Sequence, residues 1–415
     1  MNSFKKIFLI LLAVVLFPVY QTNGASVPAF QVDAQSAVLI NGLTGTIVFE
    51  QNPDQTIPPA SLIKIMTLFL IYDEIDRGNV KLTDIVTVSK KASNFGGSQM
   101  YLKEGELVPW EEIIKGITIS SGNDACVAAA EEIAGMEETF VEKMNKKAAE
   151  IGMVNTTIKN CHGLPVEGQR TTARDMALLS YQYIKTHPHA LEIHRTKEMT
   201  YNRITQQNRN KLLWRDPTVD GLKTGWIRES GYHLIATAQR GGDRYIAVVM
   251  GAQSPNKRAE EALKLLNYGF RNFKTIPLIE PGKELAAIKV KRGVENLVSL
   301  GVLESSYITV PRDQAPAIQL QTDIPLTVTA PLVKHQTIGT VKAFVNGTAH
   351  TTFQLVTLAS VEKAGFIKIT LQTIRHAFAS PFSWGFIVLG IVLVIFFLRR
   401  SFSRRKSKKD TSFIS

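Results

Sequence analysis

Between residues 37 and 49 the chain reads AVLI and then TIVF, two β-branched runs separated by Asn41-Gly42-Leu43-Thr44-Gly45. Turn residues that tolerate positive φ between such runs predict a β-hairpin. Pro58-Pro59-Ala60 halts the chain ahead of SLIKIMTLFLIYDEI, an apolar run of helical length. Residues 109–150 mix apolar and charged positions as helices do, with Pro109 suited to a first turn. A further helix is predicted over 171–186, opened by threonine caps and carrying Met176, Leu179 and Tyr183 at helical spacing. YHLIATAQ and RYIAVVMG, joined by Arg240-Gly241-Gly242-Asp243, predict a second hairpin, and 257–273 returns to a helical pattern. Strands at either end with helices between them predict an α+β domain, an antiparallel sheet with helices, over residues 30–275.

The pattern changes beyond Thr275. AAIKV, YITV, LTVTA, TVKAFV and TFQLV are short strand-like runs separated by Pro, Gly and Asn-Gly. They predict a small all-β domain over 276–362, followed by an amphipathic connector over 363–381.

Both termini have the pattern of membrane signals. Lys5 and Lys6 precede the apolar run Ile7 to Phe17, which predicts a secretory signal peptide over 1–25. Asn23 is not the small residue expected two places before a cleavage after Ala25, so an uncleaved N-terminal anchor is the alternative. Phe382 to Leu398 is a run of 17 residues without charge, followed by a basic tail over 399–415. That run is just long enough for a C-terminal membrane helix, with an interfacial helix as the alternative. Positive charge at the tail puts it in the cytoplasm and the body of the protein on the periplasmic, extracytoplasmic side of the plasma membrane.

The location of the charge removes one class of function. The formal net charge is +12, and Arg399, Arg400, Arg404, Arg405, Lys406, Lys408 and Lys409 crowd into the tail against one acid, Asp410. The body carries no basic stripe with interleaved aromatics, so no nucleic-acid partner is expected. Cys126 and Cys161 are the only cysteines. They could pair in an oxidising compartment, although a buried free thiol is the default for Cys126 in its apolar helix. Neither they nor the scattered histidines make a structural zinc pattern, and no metal or organic cofactor is implied.

Three short motifs carry the candidate chemistry. In Ser61-Leu62-Ile63-Lys64, a serine opening a helix shares its face with a lysine one turn on. A buried lysine beside another cation loses its proton readily enough to take that of the serine, and the helix N-terminus favours developing negative charge. Alone the motif is weak, since Ser3 to Lys6 and Ser403 to Lys406 repeat the spacing. In Ser121-Gly122-Asn123 the hydroxyl can relay a proton and the Asn amide can bond a substrate carbonyl. An N-cap and turn is the plain alternative, and Ser254-Pro255-Asn256 has the same spacing in what reads as a loop. Lys223-Thr224-Gly225 is expected to open a strand. There the ammonium and hydroxyl can hold a carboxylate, and Gly225 lets a ligand backbone approach; a surface turn lysine is the alternative.

In this order and these contexts the motifs resemble the active-site set of penicillin-binding proteins and class A β-lactamases. Their flanks (PPASLIKIMT, SGNDACVAAAE, NCHGLPVEGQRTTARDMALLS, ITQQNRNKLLW, TVDGLKTG and IAVVMGAQSPNKRAEEALKLL) are similar to the D-alanyl-D-alanine carboxypeptidases among the low-molecular-mass penicillin-binding proteins, peptidase family S11. The resemblance covers 30–275 sharply and the β-rich region diffusely. It implies a serine hydrolase trimming peptidoglycan stem peptides that end in D-Ala-D-Ala, acylated by β-lactams. Ser61 would be the nucleophile, Lys64 its base, and Ser121 and Asn123 partners in proton transfer. Lys223, Thr224 and Arg209 would hold the substrate carboxylate, with a surface salt bridge as the other reading of Arg209. The N–H groups of Ser61 and Trp226 would form the oxyanion hole. Trp226 departs from the histidine that close relatives often carry, which leaves the backbone donor but changes the pocket wall. Endopeptidase or transpeptidase action shares the same acylation. A β-lactamase would need a deacylating glutamate, for which Glu167 is the only nearby acid. A non-catalytic wall-binding scaffold is opposed by the intact motifs.

Overall fold

The computed structural model describes residues 30–366, Thr370 and 391–399. The signal segment 1–25 lies outside these residues, as do most of the connector, the first half of the 382–398 run and the tail beyond Arg399.

The N-terminal region is built on a five-stranded antiparallel sheet. Its strands are β1 (Ser36–Asn41), β2 (Ile47–Gln51), β3 (Val219–Ile227), β4 (Gly231–Arg240) and β5 (Asp243–Ala252), in the order β2-β1-β5-β4-β3. Both hairpins therefore form where the hydrophobic pattern puts them. Strand alternation sends successive side chains to opposite faces, and here both faces are buried. Val38, Ile40, Ile235, Ile246 and Val248 enter one core, while Leu39, Leu234, Ala236, Ala247 and Val249 enter the other.

The first core is helical. It holds α1 (Lys64–Asp76), α2 (Asn123–Ala134), α3 (Glu137–Glu150) and α4 (Ala173–Thr186). Every residue of α1 from Lys64 to Asp73 is buried, as a helix apolar all round must be. Thr172 caps α4 by accepting from the Asp175 N–H at 3.1 Å, the cap its sequence predicts. The other face of the sheet is covered by α5 (Pro255–Asn272), which buries Ala259, Ala262, Leu265 and Leu266. Ser254 is the N-cap of α5 and accepts from the Lys257 N–H, so the Ser-Pro-Asn segment starts a helix and is no ordinary loop.

The change to β structure falls inside one strand, Phe273–Ile279, which pairs with Ser306–Pro311. Beyond it lies a six-stranded sheet, antiparallel except where Ala286–Lys291 meets Thr327–Thr329, packed around Ile288, Leu300, Val341 and Leu355. Asn41 Nδ2 donates to Thr275 Oγ1 at 2.8 Å, and the Thr44 and Thr309 hydroxyls share a 2.7 Å bond, tying the first hairpin to this domain.

Among the described residues no helix is long and apolar enough to cross a membrane. Residues 391–399 are helical, and Ile391 to Leu398 expose their side chains.

Candidate active site

Ser61 lies in a single 3₁₀ turn, Ala60–Ile63, directly before α1. Ala60 is held at φ +49°, a left-handed conformation that costs an alanine about 1 kcal/mol. The surroundings enforce it. Gly163 packs so tightly that a Cβ there would stand 2.0 Å from the Ala60 carbonyl oxygen and 3.0 Å from the Ser61 nitrogen. β3 also closes in at Gly225, where a Cβ would lie 3.2 Å from that of Ala60 and 3.3 Å from the Pro59 carbonyl oxygen. Gly225 thus admits the protein's own Pro59-Ala60 turn.

Lys64, the first residue of α1, is wholly buried. Its Nζ stands 3.1 Å from Ser61 Oγ, 2.7 Å from Asn123 Oδ1 and 2.5 Å from the His162 carbonyl oxygen. Burial lowers its pKa, with the positive Arg209 adding to the effect. The thiols of Cys126 and Cys161 lie nearby, but burial keeps them protonated, with Cys126 pushed up to about 12, so they offer no negative charge at neutral pH. Both are free and buried. A neutral amine here can donate two hydrogens to the Asn123 and His162 oxygens and turn its lone pair to Ser61.

Asn123 is more constrained than its motif suggests. Its Nδ2 donates to the Gly96 carbonyl at 2.8 Å while Oδ1 holds Lys64. With the side chain 98% buried, the amide positions the lysine through Oδ1, and one of its two N–H donors is taken by Gly96. Ser121 is not the N-cap of α2, a place that Gly122 takes. It ends a π-helical turn, Gly116–Ser120, with φ +63° and ψ +34°, and it accepts from Lys223 Nζ at 3.0 Å.

Lys223-Thr224-Gly225 lies in the middle of the nine-residue β3 and does not open it. β3 is the edge of the sheet, so one side faces the cleft. Lys223 is buried, and burial first, then repulsion from Lys64 and Arg209, lowers its pKa. Among the described residues neither Lys64 nor Lys223 has a carboxylate in ion-pair reach. Two ammoniums in one such site repel, so one proton is weakly held.

Arg209 joins the cluster. The flanking Asn208 and Asn210 are buried, and Asn210 Nδ2 donates to the Gly221 carbonyl, fixing the segment to β3. Arg209 itself is exposed and donates to Ser98 Oγ at 2.8 Å. No carboxylate pairs with it among the described residues, which removes the salt-bridge reading. Trp226 exposes 54% of its surface, with its ring 5.9 Å from that of Tyr232. Glu167 sits in an exposed turn and lines a cavity of about 340 Å³ with Pro59, Ala60, Ile227 and Glu229.

Several supports escaped the sequence reading. Asp124 accepts from the Met100 and Leu102 N–H groups and anchors the 96–102 loop to α2. Arg258 reaches from α5 to donate to the Gly225 carbonyl at 3.0 Å. Burial and Arg209 lower its pKa to about 10, which leaves it a cation. Only the flanks SGNDACVAAAE and SPNKR signalled these positions, and without saying what they touch.

Comparison with known proteins agrees with this architecture. Residues 21–254 match the peptidase S11 family, described as D-alanyl-D-alanine carboxypeptidase, and 273–363 match the penicillin-binding protein 5 C-terminal domain. The chain is 41% identical to D-alanyl-D-alanine carboxypeptidase DacC of Escherichia coli, over 86% of this chain and 91% of that protein. It is 38% identical to DacF of Bacillus subtilis, over 82% and 89%. Penicillin-binding protein 5 from Haemophilus influenzae superposes with a TM-score of 0.67 at 36% identity, covering 80% of this chain and 99% of that one. The chain belongs to the S11 family of serine D-alanyl-D-alanine carboxypeptidases, with the penicillin-binding protein fold and its all-β C-terminal domain.

Proposed function

We propose that Ser61 and Lys64 carry out the family reaction here, removing the terminal D-alanine of peptidoglycan pentapeptide stems through an acyl-enzyme that β-lactams also form. The supporting observation is the 3.1 Å approach of Lys64 Nζ to Ser61 Oγ in a buried site where, among the described residues, no carboxylate pairs with the lysine.

The substrate carboxylate binds Lys223, Thr224 and Arg209. Its negative charge stabilises the Lys223 ammonium, and repulsion within the cluster then falls on Lys64, which gives up its proton. The Lys64 lone pair takes the Ser61 hydroxyl proton as Oγ attacks the penultimate D-alanine carbonyl. The developing oxyanion sits between the N–H groups of Ser61 and Trp226. The Ser121 oxygen accepts from Lys223, so its own O–H is available to the leaving amine, with Lys64 replenishing that proton. Water then takes the place of the amine and the steps reverse. Asn123 acts by holding Lys64. Glu167 has no role in this scheme.

Mass spectrometry of the penicillin adduct tests the assignment. The adduct is expected on Ser61, with Ser61→Ala unlabelled and unable to release D-alanine from a pentapeptide. Lys64→Ala is expected to acylate about 10³-fold more slowly with its circular dichroism unchanged. Wild-type labelling by Lys64→Ala would remove the lysine as base, and a crosslinked product in place of the hydrolysed tetrapeptide, with D-alanine released in either case, would make the enzyme a transpeptidase.

We also propose that residues 1–25 direct export and 382–398 anchor the protein, leaving the catalytic domain on the extracytoplasmic side of the plasma membrane. The charge pattern supports this, as does the exposed apolar surface of the helical residues 391–398. Deleting 382–415 is expected to move active enzyme to the soluble fraction, and retention in the membrane would place the anchor elsewhere.

A further inference from the structure

The helix that begins at Lys64 ends with Asp73 and Asp76 in its last turn. There it meets the end of α4, whose C-cap is His187. His187 Nδ1 lies 2.6 Å from Asp76 Oδ2, and its Nε2 lies 3.0 Å from Asp73 Oδ1. Pro188 turns the chain so that His189 follows on the same side, its Nε2 3.6 Å from Asp76 Oδ1. One ligand atom from each of Asp76, His187 and His189 can be chosen so that all lie within 4.8 Å of one another.

We propose that Asp76, His187 and His189 form a binding site for one divalent cation of the zinc class, separate from the catalytic cleft. Two imidazoles and one carboxylate suit zinc and its first-row neighbours, whereas calcium and magnesium take oxygen ligands. Three protein ligands leave a fourth position for water.

The surroundings resemble those of a histidine prepared for a metal. A ligating imidazole commonly donates its other N–H to a carboxylate, which fixes the ring and its tautomer. Asp73 stands in that place on His187. Asp73 is in turn held by Lys147 Nζ at 2.7 Å and Arg77 at 3.7 Å, which engage the oxygen that His187 does not. The His187 ring is 99% buried, stacked on Tyr72 at 5.7 Å and against the edge of Phe69 at 5.1 Å. Tyr72 also borders His189, 5.2 Å away. Asp76 and His189 expose 41% and 49% of their side chains, so an ion can enter from solvent. The negative C-terminal ends of two helices meet there, which favours a cation.

Metal ligands bind in their unprotonated form, so binding is expected to weaken as pH falls. The bound ion would fasten the end of α1 to the end of α4, behind the turn that presents Ser61. No local sequence motif reveals the site, because 111 residues separate Asp76 from His187.

Tag-free full-length protein, stripped with EDTA and returned to metal-free buffer, is titrated with ZnCl₂ by calorimetry at pH 7.5 and melted with and without the ion. One ion per chain and a higher unfolding temperature are expected. His189→Ala and Asp76→Asn should each bind at least about tenfold more weakly, lose the thermal shift, and still label with penicillin at the wild-type rate, which certifies their fold. Absence of saturable binding by the wild type, or binding that both variants retain unchanged, overturns the proposal.

Discussion

Lys223 Nζ donates to the hydroxyl oxygen of Ser121 at 3.0 Å, although 102 residues separate the two. The contact joins the edge of the sheet to the turn that precedes α2, two residues before Asn123, which holds the Lys64 that reaches Ser61. A lysine motif and a serine motif that are each unremarkable in sequence become one site through this bond.

Lys223→Ala should therefore do more than weaken substrate binding. Loss of a buried charge that holds a carboxylate costs about 2–5 kcal/mol, so acylation by penicillin at neutral pH should slow by at least about 30-fold. Lys223 and Lys64 repel, and each has a lowered pKa. Removing Lys223 relieves that repulsion and raises the pKa of Lys64. The acid limb of the acylation rate should then move to higher pH than in the wild type. Rapid-quench labelling across pH measures both effects, and an acid limb that stays in place would separate the two lysines.

Gly163→Ala tests the tightness of the turn. Gly163 is at φ +86° and its new Cβ would overlap the Ala60 carbonyl, which is backbone and has nowhere to go. A destabilisation of about 3 kcal/mol or more is expected, together with slowed acylation in whatever fraction folds. Urea unfolding and penicillin labelling report the two; wild-type values for both would mean that the turn yields freely.

Three buried histidines predict the acid response of the fold. Burial is the main reason that the pKa values of His162, His194 and His233 are lowered from 6.5 to about 4. Between those values the unfolded chain takes up protons that the folded chain refuses. Stability is thus complete above about pH 6.5 and falls as pH drops towards 4, by up to ~1.4 kcal/mol per histidine per pH unit. Urea midpoints at pH 7, 6, 5 and 4.5 should decline progressively, and a midpoint constant down to pH 5 would show that these rings are charged in the folded protein.

The legible parts of the fold were those with a local cause. Both hairpins follow from alternation and turn residues, α1 from an apolar run after two prolines, and α4 from Thr172 as a cap. The reading of Ser61, Lys64, Ser121, Asn123, Arg209, Lys223 and Thr224 came from motif order and flanks, and the fold joins Ser61, Lys64 and Asn123 by hydrogen bonds and sets Ser121 on Lys223. Three details were not legible. Lys223 lies within β3, because a strand at a sheet edge can run past the motif in both directions. Gly225 packs on the Pro59-Ala60 turn, and the Asn123 amide bonds Gly96 and Lys64. Each depends on a neighbour distant in sequence, and no local pattern encodes such a neighbour.

By itself the sequence determined the elements, the order of the motifs, the family and the charged apolar ends, since periodicity, turn chemistry and motif spacing act over a few residues at a time. Tertiary structure alone decided that Lys64 is buried with no carboxylate paired to it among the described residues, that Gly163 and Gly225 both pack on the turn before Ser61, and that Asp76 meets His187. Burial and convergence belong to the packed chain, and they set the protonation states on which the chemistry rests.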